Sequence, residues 1–483
     1  MLRTLADQPS LWDAVLPDEL RRLPAELARI DAWLDDPVFV AAFEPFFHTR
    51  LGRPSTPIET YLRMMFLKYR YRLSFEAVCE QVSDSISWRR FCRISIDATV
   101  PEATTLMKLT SRCGSVLTEA LNEALISKAV AADLVRLDRV RVDTTVVEAN
   151  VAYPTDSGLL AKAVNRIVAT GKRIKAAGGA VRTRLRDRSR AVGRRAHALN
   201  AKLRTRSAAT KDEALAVVKR KNSELADLAE ATIRDATRLL DNARRAVRKA
   251  KAEAVRRKAE GRTTDPAEGR RRARLTQAVN HLKNLIEATG QVIVQTRQRL
   301  AGTMPPAATR RVSLHDPDAH PIAKGRIGKP VEFGYKAQVC DNVDGIVLDH
   351  DVQPGNPADG PRLAPCIKRV TKRTGRTPRT VTADRGYGEH QVETDLTDLG
   401  VTKVVIPRKG KPGKARQAHE HSRHFRETIK WRTGCEGRIS HLKRNYGWNR
   451  TRLDTLEGAR TWTGHGIFAH NLTKITALAA ATQ

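Results

Sequence analysis

Between Pro154 and Pro266 the chain contains no proline, and Ala, Arg, Lys, Leu and Glu dominate. A stretch of this length and composition settles as long helices, because proline is the residue that ends them and glycine the one that interrupts them. Gly178-Gly179 and the run from Gly261 to Pro266 mark the breaks. Leu225, Leu228, Ile233, Leu239 and Val247 are sparse but helically spaced, which predicts an antiparallel helical hairpin rather than a globular core. Residues 171–300 carry 35 Lys/Arg against 13 Asp/Glu, a surplus of 22 out of the chain's 34. A charged helix face is ordinarily just solvated, but a one-signed excess of this size points to a DNA backbone.

The whole chain has 483 residues, room for about three domains. At 41% hydrophobic residues it can bury a core, and at 5% aromatics it is poorly equipped to grip single strands by base stacking. No apolar run approaches 18 residues, and MLRTLADQPSLWDAV has no apolar signal-peptide core. Membrane and secreted classes are therefore disfavoured, and the expectation is a cytoplasmic, nucleoid-associated protein. Cys79, Cys92, Cys113, Cys340, Cys366 and Cys435 are scattered without a C-x-x-C pair, so neither a disulfide frame nor a zinc ribbon is indicated.

On either side of the insert the pattern differs. Residues 1–130 read as helical: Ile58 to Arg72 has an apolar stripe, Ser74 caps a helix over Phe75 to Val82, and Trp88 to Ile94 forms a third stretch. Arg89, Arg90 and Arg93 on that last stretch fit a helix-turn-helix reader of DNA as well as an ordinary bundle. Residues 131–155 hold a first strand, Leu134 to Asp143, with Asp143 at its end and its phase broken by a possible bulge. The insert occupies 156–303. Residues 304–483 then alternate strand and helix: a hairpin of Phe333 to Cys340 and Ile346 to Asp351 around Asp341 to Gly345, a helix over Pro361 to Lys372, the strand Thr380 to Ala383 ending at Asp384, a helix over Tyr387 to Leu399, the strand Lys403 to Pro407, and a long helix including Glu427 to Tyr446. The fold class is α/β, a mixed sheet flanked by helices with an all-α N-terminal region and a long helical insert.

Asp143 and Asp384, at strand ends, can converge on one sheet edge. Arg432, Glu436 and Lys443, spaced by four and seven residues, share one helical face. A carboxylate bracketed by cations suits a site that holds both a divalent metal and phosphate. Oxygen-only ligands favour Mg²⁺, with Mn²⁺ an alternative, and two ions would serve an in-line displacement at phosphorus.

VDTTVVEAN around Asp143, TADRGYGEH around Asp384 and the R-x3-E-x6-K helix around Glu436 resemble the three acidic blocks of DDE-class bacterial insertion-sequence transposases. Ser313 to Val339 is similar to the segment those enzymes carry before their second strand, and LGRPSTPIETYLRMMFLKYRYRLSFEAVCEQVSDSISWRRF to their N-terminal helices. The resemblance spans most of the chain outside the insert. It implies an RNase H-like fold, Asp143, Asp384 and Glu436 as a metal-binding catalytic triad, and Arg432 and Lys443 as flanking cations on DNA. It also implies action on terminal inverted repeats and target DNA by a homo-oligomer. Two features depart from the family: Ile429 stands where many relatives have a tyrosine, and the insertion precedes the second strand rather than the glutamate helix. The other class compatible with these residues is a catalytically silent DNA-binding protein derived from a transposase.

Competing sites carry simpler expectations. Asp341, Asp344, Asp349 and Asp351 read as turn-making and solvating residues of the hairpin. Glu148, Asp156 and Glu389 are candidate supports of the triad. His419, His421, His424, Cys435 and His441 match no compact zinc spacing. Trp431 and Trp448 read first as core, with Trp448 or Tyr387 a candidate for stacking on an unpaired base.

Overall fold

The computed structural model describes residues 1–4, 15–203, 211–262, 265–324, 328 and 330–482. Parts of the N-terminal stretch (5–14), of the basic insert (204–210, 263–264) and of the Ser313 to Val339 segment (325–327, 329) lie outside the described residues. The chain divides into two compact units, one formed by 1–150 with 322–483 and the other by 151–321.

The first unit begins with α1 (Ala25–Leu34), α2 (Ile58–Arg70), α3 (Phe75–Asp84), α4 (Ile86–Phe91) and α5 (Ala103–Ala131). Ser74 caps α3 as expected, its hydroxyl accepting from Ala77 N. Ser85 ends α3 and caps α4 through Trp88 N, so only one residue separates the two helices. Buried along almost its whole length, α2 carries Arg63 into the interior because Asp31 and Asp35 accept from its guanidinium.

β1 (Arg139–Glu148) follows, and Asp143 sits in mid-strand, not at its end. Leu134 to Asp138 alternates in sequence but stays outside the strand. The correction has a physical cause: β1 is defined by its long antiparallel ladder with β3, running without a bulge from Val140↔Asn342 to Glu148↔Gly334.

The second unit consists of α6 (Asp156–Ala176), α7 (Ser189–Leu203), α8 (Lys211–Ala259) and α9 (Pro266–Leu300). It is more than a hairpin. Leu160, Val164, Leu225 and Val292 form one buried cluster, and Ile167, Leu239, Leu282 and Leu285 another. Both close over alanines of α8 (Ala226, Ala229, Ala236, Ala243), whose small side chains let the helices approach.

After the insert come β2 (His320–Ala323), β3 (Val331–Asn342), β4 (Val347–Pro354), α10 (Leu363–Thr374), β5 (Thr380–Ala383), α11 (His390–Asp398), β6 (Lys403–Val405), α12 (Lys414–Glu420), α13 (Arg423–Arg432), α14 (Gly434–Asn445) and α15 (Thr455–Thr482). The sheet order is β2-β3-β1-β5-β6, with β4 also on β3. β1 pairs antiparallel with β3 and parallel with β5, and β5 pairs parallel with β6, so the sheet is mixed and flanked by helices. The expected single late helix is two, α13 and α14, interrupted at Thr433. Among the described residues no helix is long and apolar enough to cross a membrane.

Candidate active site

β1 sends alternate side chains to one face, so Arg141, Asp143 and Thr145 share a side. Arg141 stands directly opposite Asp341 on β3 and donates to both its carboxylate oxygens at 2.8 and 2.9 Å. A third bond, from Arg141 Nη1, reaches the carbonyl of Trp431 at 2.8 Å, one of the last carbonyls of α13. The same guanidinium lies 4.7 Å from the centre of the Trp431 ring. Gly434, at the start of α14, leaves the space: a Cβ there would meet Arg141 Nη1 at 2.4 Å. From α14, Arg438 Nε adds a contact to Asp341 at 3.2 Å. This buried network fastens both late helices to the sheet beside Asp143.

Asp143 accepts from its neighbour Thr144 N at 2.7 Å and pairs with Arg432 Nη1 at 3.2 Å. Burial raises its carboxyl to about 6; the Thr144 amide and Arg432 oppose the shift, while the charges of Asp384 and Glu436 reinforce it. That Coulombic coupling means the three acids share one field. Asp384 follows β5, its Oδ1 accepting from Gly386 N at 2.9 Å to start a tight turn. Two residues on, Gly388 packs so closely that a Cβ would lie 1.9 Å from the Pro407 carbonyl oxygen. Glu436 is exposed in the first turn of α14.

Asp143, Asp384, Arg432, Glu436 and Lys443 line one cavity of about 570 Å³. The sequence reading missed Lys324, Glu332, Ser440 and Arg444, which line it too. Ser440 and Arg444 had a usable signal, since they follow Glu436 at four and eight residues on the same helix. The donor set fits a hard cation, because three carboxylates supply oxygen alone and Asp143 is strained by its acidic neighbours. Among the described residues no three His, Cys, Asp or Glu side chains converge tightly enough to hold an ion as they stand.

Other expectations change. Asp341 and Asp349 are fully buried rather than solvated turn residues: Asp341 serves Arg141 and Arg438, and Asp349 serves Arg369 and Arg373. The reason is length, because β3 runs through Asn342 and draws Asp341 into the sheet. Glu148 pairs with Arg450, Glu389 with Lys409, and Asp156 with Arg299 in the helical unit. Trp448 is buried, donating to the Thr463 carbonyl, and the buried Tyr387 hydroxyl accepts from Gln338, so neither ring is open to a base. In the N-terminal region Arg89 donates to the carbonyls of Ser83, Ser95 and Ala98, and Arg93 pairs with Asp35 and Asp31. Arg89 thus ties the loop after α4 to α3, Arg93 ties it to the end of α1, and Arg90 is half-buried beside them.

Two family models match the chain. Residues 16–112 match the transposase domain (DUF772), and residues 308–472 match the transposase DDE domain. The second covers β2 to β6 and the glutamate helix, and so every lining residue of the cavity except Asp143, Thr144 and Thr145 of β1. The chain belongs to the DDE-class insertion-sequence transposases. Membership in this family implies an RNase H-like fold, and the order β4-β3-β1-β5-β6 with β4 and β3 antiparallel to their neighbours is a mixed sheet of that kind. In this transposase the helices α6 to α9 lie between the segments matched by the two models. No solved structure matches it.

Proposed function

We propose that this transposase binds the terminal inverted repeats of its element in double-stranded DNA, hydrolyses a phosphodiester bond there and joins the end to target DNA. The observation that carries the reading is the shared cavity: Asp143, Asp384 and Glu436 from three separate parts of the chain line it, with Arg432 and Lys443 beside them. Asp143, Asp384 and Glu436 are the residues to hold divalent cations, Mg²⁺ or Mn²⁺. Two such ions, when bound, supply activation of the attacking oxygen and stabilisation of the leaving one.

The chain's own side chains do the rest. Asp143, raised to about 6 by burial and acidic neighbours, gives up its proton more readily when positive charge enters the pocket. Arg432, now paired with Asp143, can turn to a phosphate oxygen, and Lys443 and Arg444 offer further charge to the strand. The basic helical unit supplies sequence-independent attraction to DNA. Pairing of two element ends requires at least two copies, acting in the cytoplasm at the nucleoid.

The test is nicking of end-bearing duplex DNA in Mg²⁺. Wild type should cut, whereas Asp384→Asn should lose cutting and keep end binding within a few fold. Cutting by Asp384→Asn would remove that residue from the triad. End binding by wild type with no cutting would favour the silent DNA-binding class instead.

A further inference from the structure

Lys68 lies near the C-terminal end of α2 and is only 2% exposed. No hydrogen bond or ion pair holds its ammonium among the described residues. Three aromatic rings surround it instead, Tyr69 at 4.4 Å, Phe75 at 4.5 Å and Trp462 at 4.3 Å from ring centre to Nζ. Aromatic faces replace part of the lost hydration of a cation but offer no acceptor lone pair. Burial accordingly lowers the lysine to about 7, with Glu76 opposing and Arg452 reinforcing the shift. A cation left in this state is incomplete, and an anion would complete it.

The ammonium lines a pocket of about 460 Å³ whose wall also carries Arg72, Arg450 and Arg452, against Glu76 as its one acid. Arg72 and Arg452 are exposed. Arg72 occupies the left-handed region (φ 59°), a costly conformation for a side chain of its size, in the turn closed by Leu73 N to the Lys68 carbonyl. Arg450 reaches Glu148 Oε2 at 3.1 Å, and the backbone of Glu148 bonds to Asn449 and Thr451. The pocket wall is therefore sewn to the end of β1, five residues beyond Asp143, which at the rise of a strand is about 16 Å.

We propose that this pocket holds a backbone phosphate of the DNA being cut, away from the scissile bond. The proposal rests on the DNA-cutting reading above. A phosphate supplies the anion that Lys68 lacks and accepts from Arg72 and Arg452 at once. Lys68 and Arg72 come from the N-terminal helices, Arg450 and Arg452 from the segment after the glutamate helix. One phosphate thus ties the two parts together and sets the register of the duplex on the site.

The experiment uses the full chain and duplex DNA carrying an element end. Phosphate-ethylation interference and the salt dependence of binding are measured for wild type, Lys68→Met, Lys68→Arg and Arg452→Gln. Lys68→Met and Arg452→Gln should lose interference at the same single phosphate, and each should flatten the log–log salt slope by about 0.9, while Lys68→Arg keeps both. Unchanged interference and slope in both variants would overturn the proposal. So would a uniform loss of binding in Lys68→Met with Arg452→Gln unaffected, because it would make Lys68 a packing residue alone. Wild type that fails to cut DNA yet shows the Lys68-dependent phosphate would sink the cutting reading and leave the pocket standing.

Discussion

Replacing Arg141 with methionine tests whether the late helices are held to the sheet by the network around Asp341. Methionine keeps most of the stem's volume but removes the two bonds to Asp341 and the one to the Trp431 carbonyl. Asp341 is fully buried, so its charge cannot retreat to water. Breaking a buried pair from one side costs roughly 3–5 kcal/mol, and Arg438 remains on Asp341, which places the expected loss near about 3 kcal/mol. The six tryptophans all lie outside 151–321, so their fluorescence during urea unfolding reports on the sheet-containing unit alone. Arg432 and Glu436 flank the freed segment, and an error of about 1 Å in such a site costs on the order of 100-fold in rate. Arg141→Met should thus lower both stability and DNA cutting by these amounts. Asp341→Asn should do the same, and the double variant should cost clearly less than the sum. Additive losses, or an Arg141→Met protein within about 0.5 kcal/mol of wild type and fully active, would refute the anchoring role.

Gly388→Ala should cost roughly 1–3 kcal/mol and impair cutting by pushing the Asp384 turn away from Pro407; normal urea unfolding and activity would exclude the tight-packing argument. Arg270 and Arg274 are exposed on α9, and replacing both with alanine should flatten the salt slope of DNA binding by about 1.8; an unaltered slope would remove that face from the DNA contact. Burial lowers His350 to about 4 and His465 and His470 to about 3, all below the unfolded value of 6.5. Below that value the unfolded chain takes up protons that the folded chain refuses, so stability falls with falling pH. The loss is about 1.4 kcal/mol per pH unit per histidine between about pH 6.5 and pH 4, and the contribution is flat above that window. A urea midpoint that stays put between about pH 7 and pH 5 would contradict it.

Local signals were legible wherever they depended on near neighbours. Ser74 announces the start of α3, Thr380 to Ala383 is β5 as read, and Gly178-Gly179 and the stretch before Pro266 interrupt the long helices. Asp143, Asp384 and Glu436, singled out along the chain, line one cavity with Arg432 and Lys443. What the order of residues could not convey was pairing. Asp143 reads as a strand end until β3 extends the ladder to Glu148, and Asp341 reads as a solvated turn until Arg141 faces it across the sheet. The alanines of α8 count as helix formers in sequence and become core only against α6 and α9. Arg89 and Arg93 look available to DNA in one dimension and in three pair with neighbouring loop carbonyls and with Asp31 and Asp35. Periodicity, caps and breaks act over a few residues and are written along the chain. Burial, ion-pair partners and the environment of Lys68 depend on residues tens to hundreds of positions apart, and only packing decides them.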